Sequence, residues 1–161
     1  RMLRTHGERS RYHNEMLGYN SRLDALQAAL LRVKLRRLDE LNEGRRGAAL
    51  RYGELLGDLE TSGDLTTPRV TDGHIFHQYT IRVHGGRRDE VRRRLDEAGV
   101  GTMVYYPIPC HRLPVYAEAY ADVELPVAEA AAEEVLSLPI WPAIEAETQE
   151  RVAAALADAL G

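Results

Sequence analysis

The sequence predicts an α/β fold in which a long helix leads into a small, mostly antiparallel sheet covered by helices. Two observations carry this. Apolar residues recur at helical spacing through Leu23, Leu26, Leu30, Val33, Leu38 and Leu41, with arginine and glutamate filling the opposite side. Further on, an alternating segment at 74–84 is followed by a short amphipathic stretch and then by a second extended run.

Ser21 followed by Asp24 reads as a capping box with Asp in place of the usual Glu or Gln, so a helix is expected to open at residue 21 with one face buried. The first-turn N–H groups of such a helix are unpaired and its dipole end is positive. A phosphate or carboxylate is therefore stabilised there, with Asn20 and Arg22 placed to add side-chain donors. On spacing alone, Asn20 serves equally as a turn residue and Arg22 as a surface charge. The apolar pattern resumes through Ala48, Ala49, Tyr52, Leu55 and Leu56, carrying the helix to about residue 57. Gly44, Gly47 and Gly53 each weaken it by roughly 1 kcal/mol relative to Ala, and a bend is expected near Gly44.

Residues 61–67 read as a loop. In 74–84, Ile75, His77, Tyr79, Ile81 and Val83 fall on one strand face and Phe76, Gln78, Thr80 and Arg82 on the other. Gly85 and Gly86 turn the chain into a helix at 89–98, closed by Gly99. A second strand is expected at 100–106, ended by Pro107 and Pro109. Helices are expected at 113–121, 126–135 and 148–160, with an extended apolar segment at 136–142.

The chain has 161 residues, 44% hydrophobic and 29% charged, which suits one domain with a real core. The net charge is −4, and Lys34 is the only lysine. Arginine clusters at 1–11, 32–46 and 87–94 are interleaved with acids, which favours solvated faces over a nucleic-acid surface. Cys110 stands alone, and no secretory, transit or membrane-spanning segment is visible, so a cytoplasmic setting is expected. The chain opens inside a charged, structured-looking segment (1–12), and an N-terminal part is expected to precede it.

Candidate chemistry is sparse. His77 and Tyr79 share a strand face, either as a half-buried pair or as site residues. Tyr106 and His111 flank a proline-stiffened loop that holds a phenol and an imidazole at a pocket rim, or is simply structural. Cys110 and His111 are neighbours in an extended segment and point apart, so no thiol nucleophile is expected. His74 and His77 fall on opposite faces and make no metal pair. The carboxylate pairs along the helices read as solvated charges.

Four segments, taken in order and spacing, resemble one family: Gly18-Tyr19-Asn20-Ser21-Arg22-Leu23-Asp24-Ala25-Leu26-Gln27-Ala28-Ala29, His74-Ile75-Phe76-His77-Gln78-Tyr79, Tyr105-Tyr106-Pro107-Ile108-Pro109-Cys110-His111, and Leu136-Ser137-Leu138-Pro139. The chain resembles the C-terminal part of the DegT/DnrJ/EryC1/StrS aminotransferases, which use pyridoxal 5'-phosphate to aminate keto groups on nucleotide-linked sugars. The resemblance implies the small C-terminal domain of a fold-type-I aminotransferase. Residues 1–20 would then end the cofactor-domain segment with its phosphate loop, 21–60 form a connecting helix, and 61–161 form a small α/β domain. It also implies a homodimer with shared active sites, an amino-acid donor and a nucleotide-linked keto sugar as acceptor. Asn20 and Arg22 match positions that reach the cofactor phosphate of the neighbouring subunit. His77, Tyr79, Tyr106 and His111 match positions facing the sugar nucleotide, where hydroxyl or diphosphate contacts are expected of Tyr106 and His111. The lysine that bonds the cofactor aldehyde comes upstream of the Asn20 loop in this family, and Lys34, inside a helix, does not resemble it. No catalytic residue is therefore expected in this chain, which by itself is expected to be inactive. The rival readings are a non-catalytic dimerisation module with the same fold and an arginine-rich nucleic-acid binder.

Overall fold

The computed structural model describes every residue except Arg1 and Arg11, the ends of the first arginine cluster. The chain divides into two compact units, residues 1–39 and 40–161.

In the first unit a 3-10 turn (Met2–Arg4) leads to an antiparallel hairpin, β1 (Glu8–Ser10) with β2 (His13–Asn14). Gly7, at φ +75°, lies so close to the returning chain that an added Cβ would sit 1.8 Å from the Met16 carbonyl oxygen. No other residue fits there. The chain then bridges back, Thr5 against Asn20, before entering α1 (Ala25–Leu35).

Helix α1 starts later than the capping-box reading placed it. Asp24, not Ser21, is the N-cap: its Oδ1 accepts from the amides of Leu26 at 2.8 Å and Gln27 at 3.2 Å. The expected buried face is absent, because α1 contains no buried residue and Leu26, Leu30 and Val33 are 71%, 60% and 62% exposed. Periodicity identified an apolar stripe; it does not supply the surface that covers it.

Nor is the helix continuous from 21 to 57. Arg36 and Arg37 separate α1 from α2 (Leu38–Leu55). Helix α2 is unbroken through Gly44, where glycine serves packing: a Cβ would lie 2.3 Å from the Pro142 carbonyl oxygen.

After α3 (Gly57–Thr61) the second unit forms a three-stranded antiparallel sheet in the order β3 (Leu65–Thr66), β4 (Tyr79–Val83), β5 (Val135–Leu138). Strand β3 falls within the stretch read as loop. Strand β4 is shorter than expected because Phe76 adopts φ +46°, outside extended geometry, with its amide donating to His74 Nδ1 at 3.0 Å. This local turn also corrects the face assignment: Phe76 is buried beside Tyr79 rather than opposite it. The strand expected at 100–106 contracts to a single bridge, Met103 with Ser137.

The remaining helices are α4 (Arg88–Glu97), α5 (Pro114–Ala117) after a 3-10 turn (Cys110–Arg112), α6 (Pro126–Glu134) and α7 (Ala146–Leu160). Helix α7 buries Gln149, Val152, Ala153, Leu156, Ala159 and Leu160, an i, i+3, i+4, i+7 stripe that packs with α4. These side chains join Tyr52, Leu56, Ile81, Val83, Leu95 and Leu136 in one core. Arg88, 6% exposed, reaches across to the carbonyls of Ala132 (3.1 Å) and Val135 (3.2 Å), satisfying the C-terminal end of α6.

Candidate functional site

In the first unit the loop preceding α1 leaves Asn20, Ser21 and Arg22 exposed. Arg22 Nε donates to Asn20 Oδ1 at 3.2 Å. That bond takes one lone pair of the Asn20 amide oxygen and leaves the Asn20 amide N–H groups and the remaining guanidinium N–H groups facing outward. A phosphate fits such a fork. The helix end contributes less than expected, because the Asp24 carboxylate already occupies two first-turn amides and places a negative charge at the positive end of the dipole. The outward donors at this loop are therefore mainly side-chain ones.

In the second unit an apolar cavity of about 630 Å³ is walled by Tyr105, Tyr106, Tyr116, Tyr120, Leu125 and His111. Tyr106 stands at its mouth, 73% exposed, in edge contact with Tyr105 (centroids 5.8 Å apart). Four phenols above aliphatic side chains suit a ligand that is flat on one side and hydroxylated on the other. His111 belongs to this wall but not to its rim. It is 7% exposed, and its Nε2 lies 2.8 Å from Glu129 Oε1. The Glu129 carboxyl is held below the usual range, chiefly by the His111 hydrogen bond and then by Arg112.

A smaller cavity of about 400 Å³ lies between His77, Gln78, Met103, Tyr105, Ser137 and Pro139. His77 is exposed and lines it. Tyr79 does not join His77: it is 1% exposed, with its ring 5.0 Å from Tyr52 and 6.3 Å from Phe76. Burial pushes its phenol well above the ordinary tyrosine range, as it does that of Tyr52. The expected substrate contact at Tyr79 is corrected to a core position, because the Phe76 turn removes the strand geometry that paired it with His77.

Two of the carboxylates read as solvated are only partly exposed and are bonded to basic side chains. Glu129 receives His111 and Arg112, while Glu134 bonds Arg82 at 2.8 Å and lies 3.4 Å from His84 Nδ1. No local pattern marks them, since their partners lie 17 to 52 positions away in the chain. Among the described residues no group of three His, Cys, Asp or Glu is arranged to hold a metal ion, and no helix is long and apolar enough to cross a membrane.

The fold of this chain matches that of solved aminotransferases. NtdA from Bacillus subtilis with bound cofactor PMP matches with a TM-score of 0.89 at 32% identity, over 99% of this chain and 38% of that one. The chain belongs to the DegT/DnrJ/EryC1/StrS aminotransferase family, whose model matches residues 1–157. It is 48% identical to the pleiotropic regulatory protein of Geobacillus stearothermophilus, over 98% of this chain and 42% of that protein. It is 44% identical to the dTDP-3-amino-3,4,6-trideoxy-alpha-D-glucose transaminase of Streptomyces venezuelae, over 94% of this chain and 40% of that enzyme. The chain therefore spans about two fifths of the length of these relatives.

Proposed function

We propose that this chain is the C-terminal portion of a pyridoxal-phosphate-dependent aminotransferase, which moves an amino group from an amino-acid donor to a keto group of a nucleotide-linked sugar. On this reading the whole protein is a cytoplasmic homodimer with active sites shared between subunits. The family match and the transaminase relatives support it. The observation that carries it within the chain is the Arg22–Asn20 pair, exposed and with most of its N–H donors uncommitted.

The cofactor, when bound, supplies an aldehyde and an electron-withdrawing ring that take up and release the amine. Asn20 and Arg22 would hold its phosphate by charge-assisted hydrogen bonds and so help to position it. Tyr106 and His77 contact the sugar nucleotide from the cavity walls, and His111 presents its ring from within the larger one. Tyrosine rings on the cavity wall exclude water from the apolar side of the ligand. Lys34, exposed on α1, plays no covalent part.

The test uses the whole protein that carries this chain. Arg22→Ala and Asn20→Ala should each weaken pyridoxal phosphate binding about ten- to thirtyfold, the effect of losing a hydrogen bond to a charged group. Unchanged affinity in both variants would remove the phosphate assignment. The rival, a dimerisation module without catalysis, shares the exposed face of α1. It predicts that the whole protein binds its partner copy yet transfers no amine to any nucleotide-linked keto sugar.

A further inference from the structure

Glu129 lies on α6 outside the cavity wall and gathers two neighbours at one oxygen. Oε1 accepts from His111 Nε2 at 2.8 Å and from Arg112 Nε and Nη2 at 3.1 and 2.9 Å. An ionised carboxylate only accepts, so the proton of the His111 bond resides on Nε2. Arg112, on the same oxygen, balances the carboxylate's charge beside the ring. The other ring nitrogen, Nδ1, has no protein partner among the described residues, although the side chain is nine-tenths buried and lines the tyrosine-walled cavity. Nδ1 itself keeps access to solvent and so is open to a ligand in the cavity.

We propose that Glu129 is a positioning residue: it fixes His111 as the Nε2–H tautomer and leaves Nδ1 as a hydrogen-bond acceptor for a hydroxyl or ring N–H group of the ligand in this cavity. This rests on reading the cavity as a wall of the substrate site. It refines that reading by assigning His111 to the donor-bearing end of the nucleotide and not to its diphosphate. A neutral Nδ1 lone pair repels phosphate oxygens.

The experiment uses the whole protein with 15N-labelled histidine, the His111 signals being assigned by their loss in His111→Gln. Near neutral pH, Nε2 should be protonated and Nδ1 bare. Glu129→Leu should mix the tautomers, and Glu129→Gln, whose amide oxygen still accepts, should restore Nε2–H. UDP, dTDP and inorganic pyrophosphate are then titrated. Glu129→Leu should weaken the tighter-binding nucleotide about tenfold, the loss of one hydrogen bond, with pyrophosphate unaffected and Glu129→Gln close to the parent. A proton on Nδ1, or on both nitrogens, in the parent protein would overturn the proposal. So would a Glu129→Leu variant that mixes the tautomers yet binds both nucleotides as before. Failure of the parent to transaminate any nucleotide-linked keto sugar would instead remove the functional reading, which the NMR signals do not test.

Discussion

The amide of Phe76 donates to His74 Nδ1 at 3.0 Å, and that bond holds Phe76 at φ +46° while its ring is buried in the core. Positive φ at an aromatic residue costs of order 1–3 kcal/mol and persists only where its surroundings fix it. His74 also stacks on the Phe76 ring, with centroids 4.0 Å apart. His74→Phe, which keeps a ring and removes the acceptor, should lower stability by about 1–2 kcal/mol in urea unfolding. His74→Asn, able to accept the same amide, should lose less. Equal losses would show that stacking alone holds the turn.

Arg88 is the largest polar investment in the core. Arg88→Ala would leave the Ala132 and Val135 carbonyls without their donor, and about 2–3 kcal/mol of stability should disappear. Arg88→Lys should recover only part of it: both carbonyl bonds come from Nη1 alone, which an ammonium can replace, but the Nε bond to Asp89 is lost. Chemical denaturation of the three proteins side by side decides this.

Gln149 makes a similar bond with a neutral group, its Nε2 donating to the Ala48 carbonyl at 2.8 Å from a position 2% exposed. Gln149→Leu keeps the volume and removes that bond, while the Ala48 carbonyl keeps its place in the α2 hydrogen-bond ladder, so a loss of about 1 kcal/mol is expected in thermal unfolding. A neutral or stabilising result would mean that burying leucine offsets the lost bond.

The Glu129 carboxyl is lowered in the folded protein by His111 and Arg112. A group with a depressed folded pKa contributes stability that is complete above its unfolded value and is lost as pH falls through the folded one. The difference in melting temperature between the parent and Glu129→Gln should therefore be largest near neutral pH. It should shrink as pH drops below the ordinary carboxylate range. A pH-independent difference would assign the effect to packing.

The chain mixed with pyridoxal phosphate should develop no visible absorption band that Lys34→Arg abolishes, since Lys34 is an exposed helical side chain with no cofactor pocket assigned to it. A Lys34-dependent band would contradict the assignment of the covalent lysine to sequence upstream.

Elements whose signals are local were readable in the sequence. The α7 stripe, the α4 helix and the Ile81/Val83 alternation each follow from spacing within a few residues, and the structure contains all three. The family was readable because its motifs are local as well. What escaped depended on distant partners or on backbone torsions. The turn at Phe76 is hidden because nothing in the residue type announces φ +46°, and it displaced both the strand start and the role expected of Tyr79. The Glu129–His111 bond joins positions 18 apart and needs α6 to fold against the loop. Asp24 was visible as a helix-start residue, but its hydrogen bonds, which fill the amides expected to take an anion, show only in coordinates.

The leucine row left bare on α1 has a practical outcome for anyone handling this polypeptide by itself. Oily surface of this kind makes molecules clump as they become more numerous, and added electrolyte, which dampens only electric forces, does not disperse them. Turbidity should climb with dilution reversed and fade when a mild detergent coats the row.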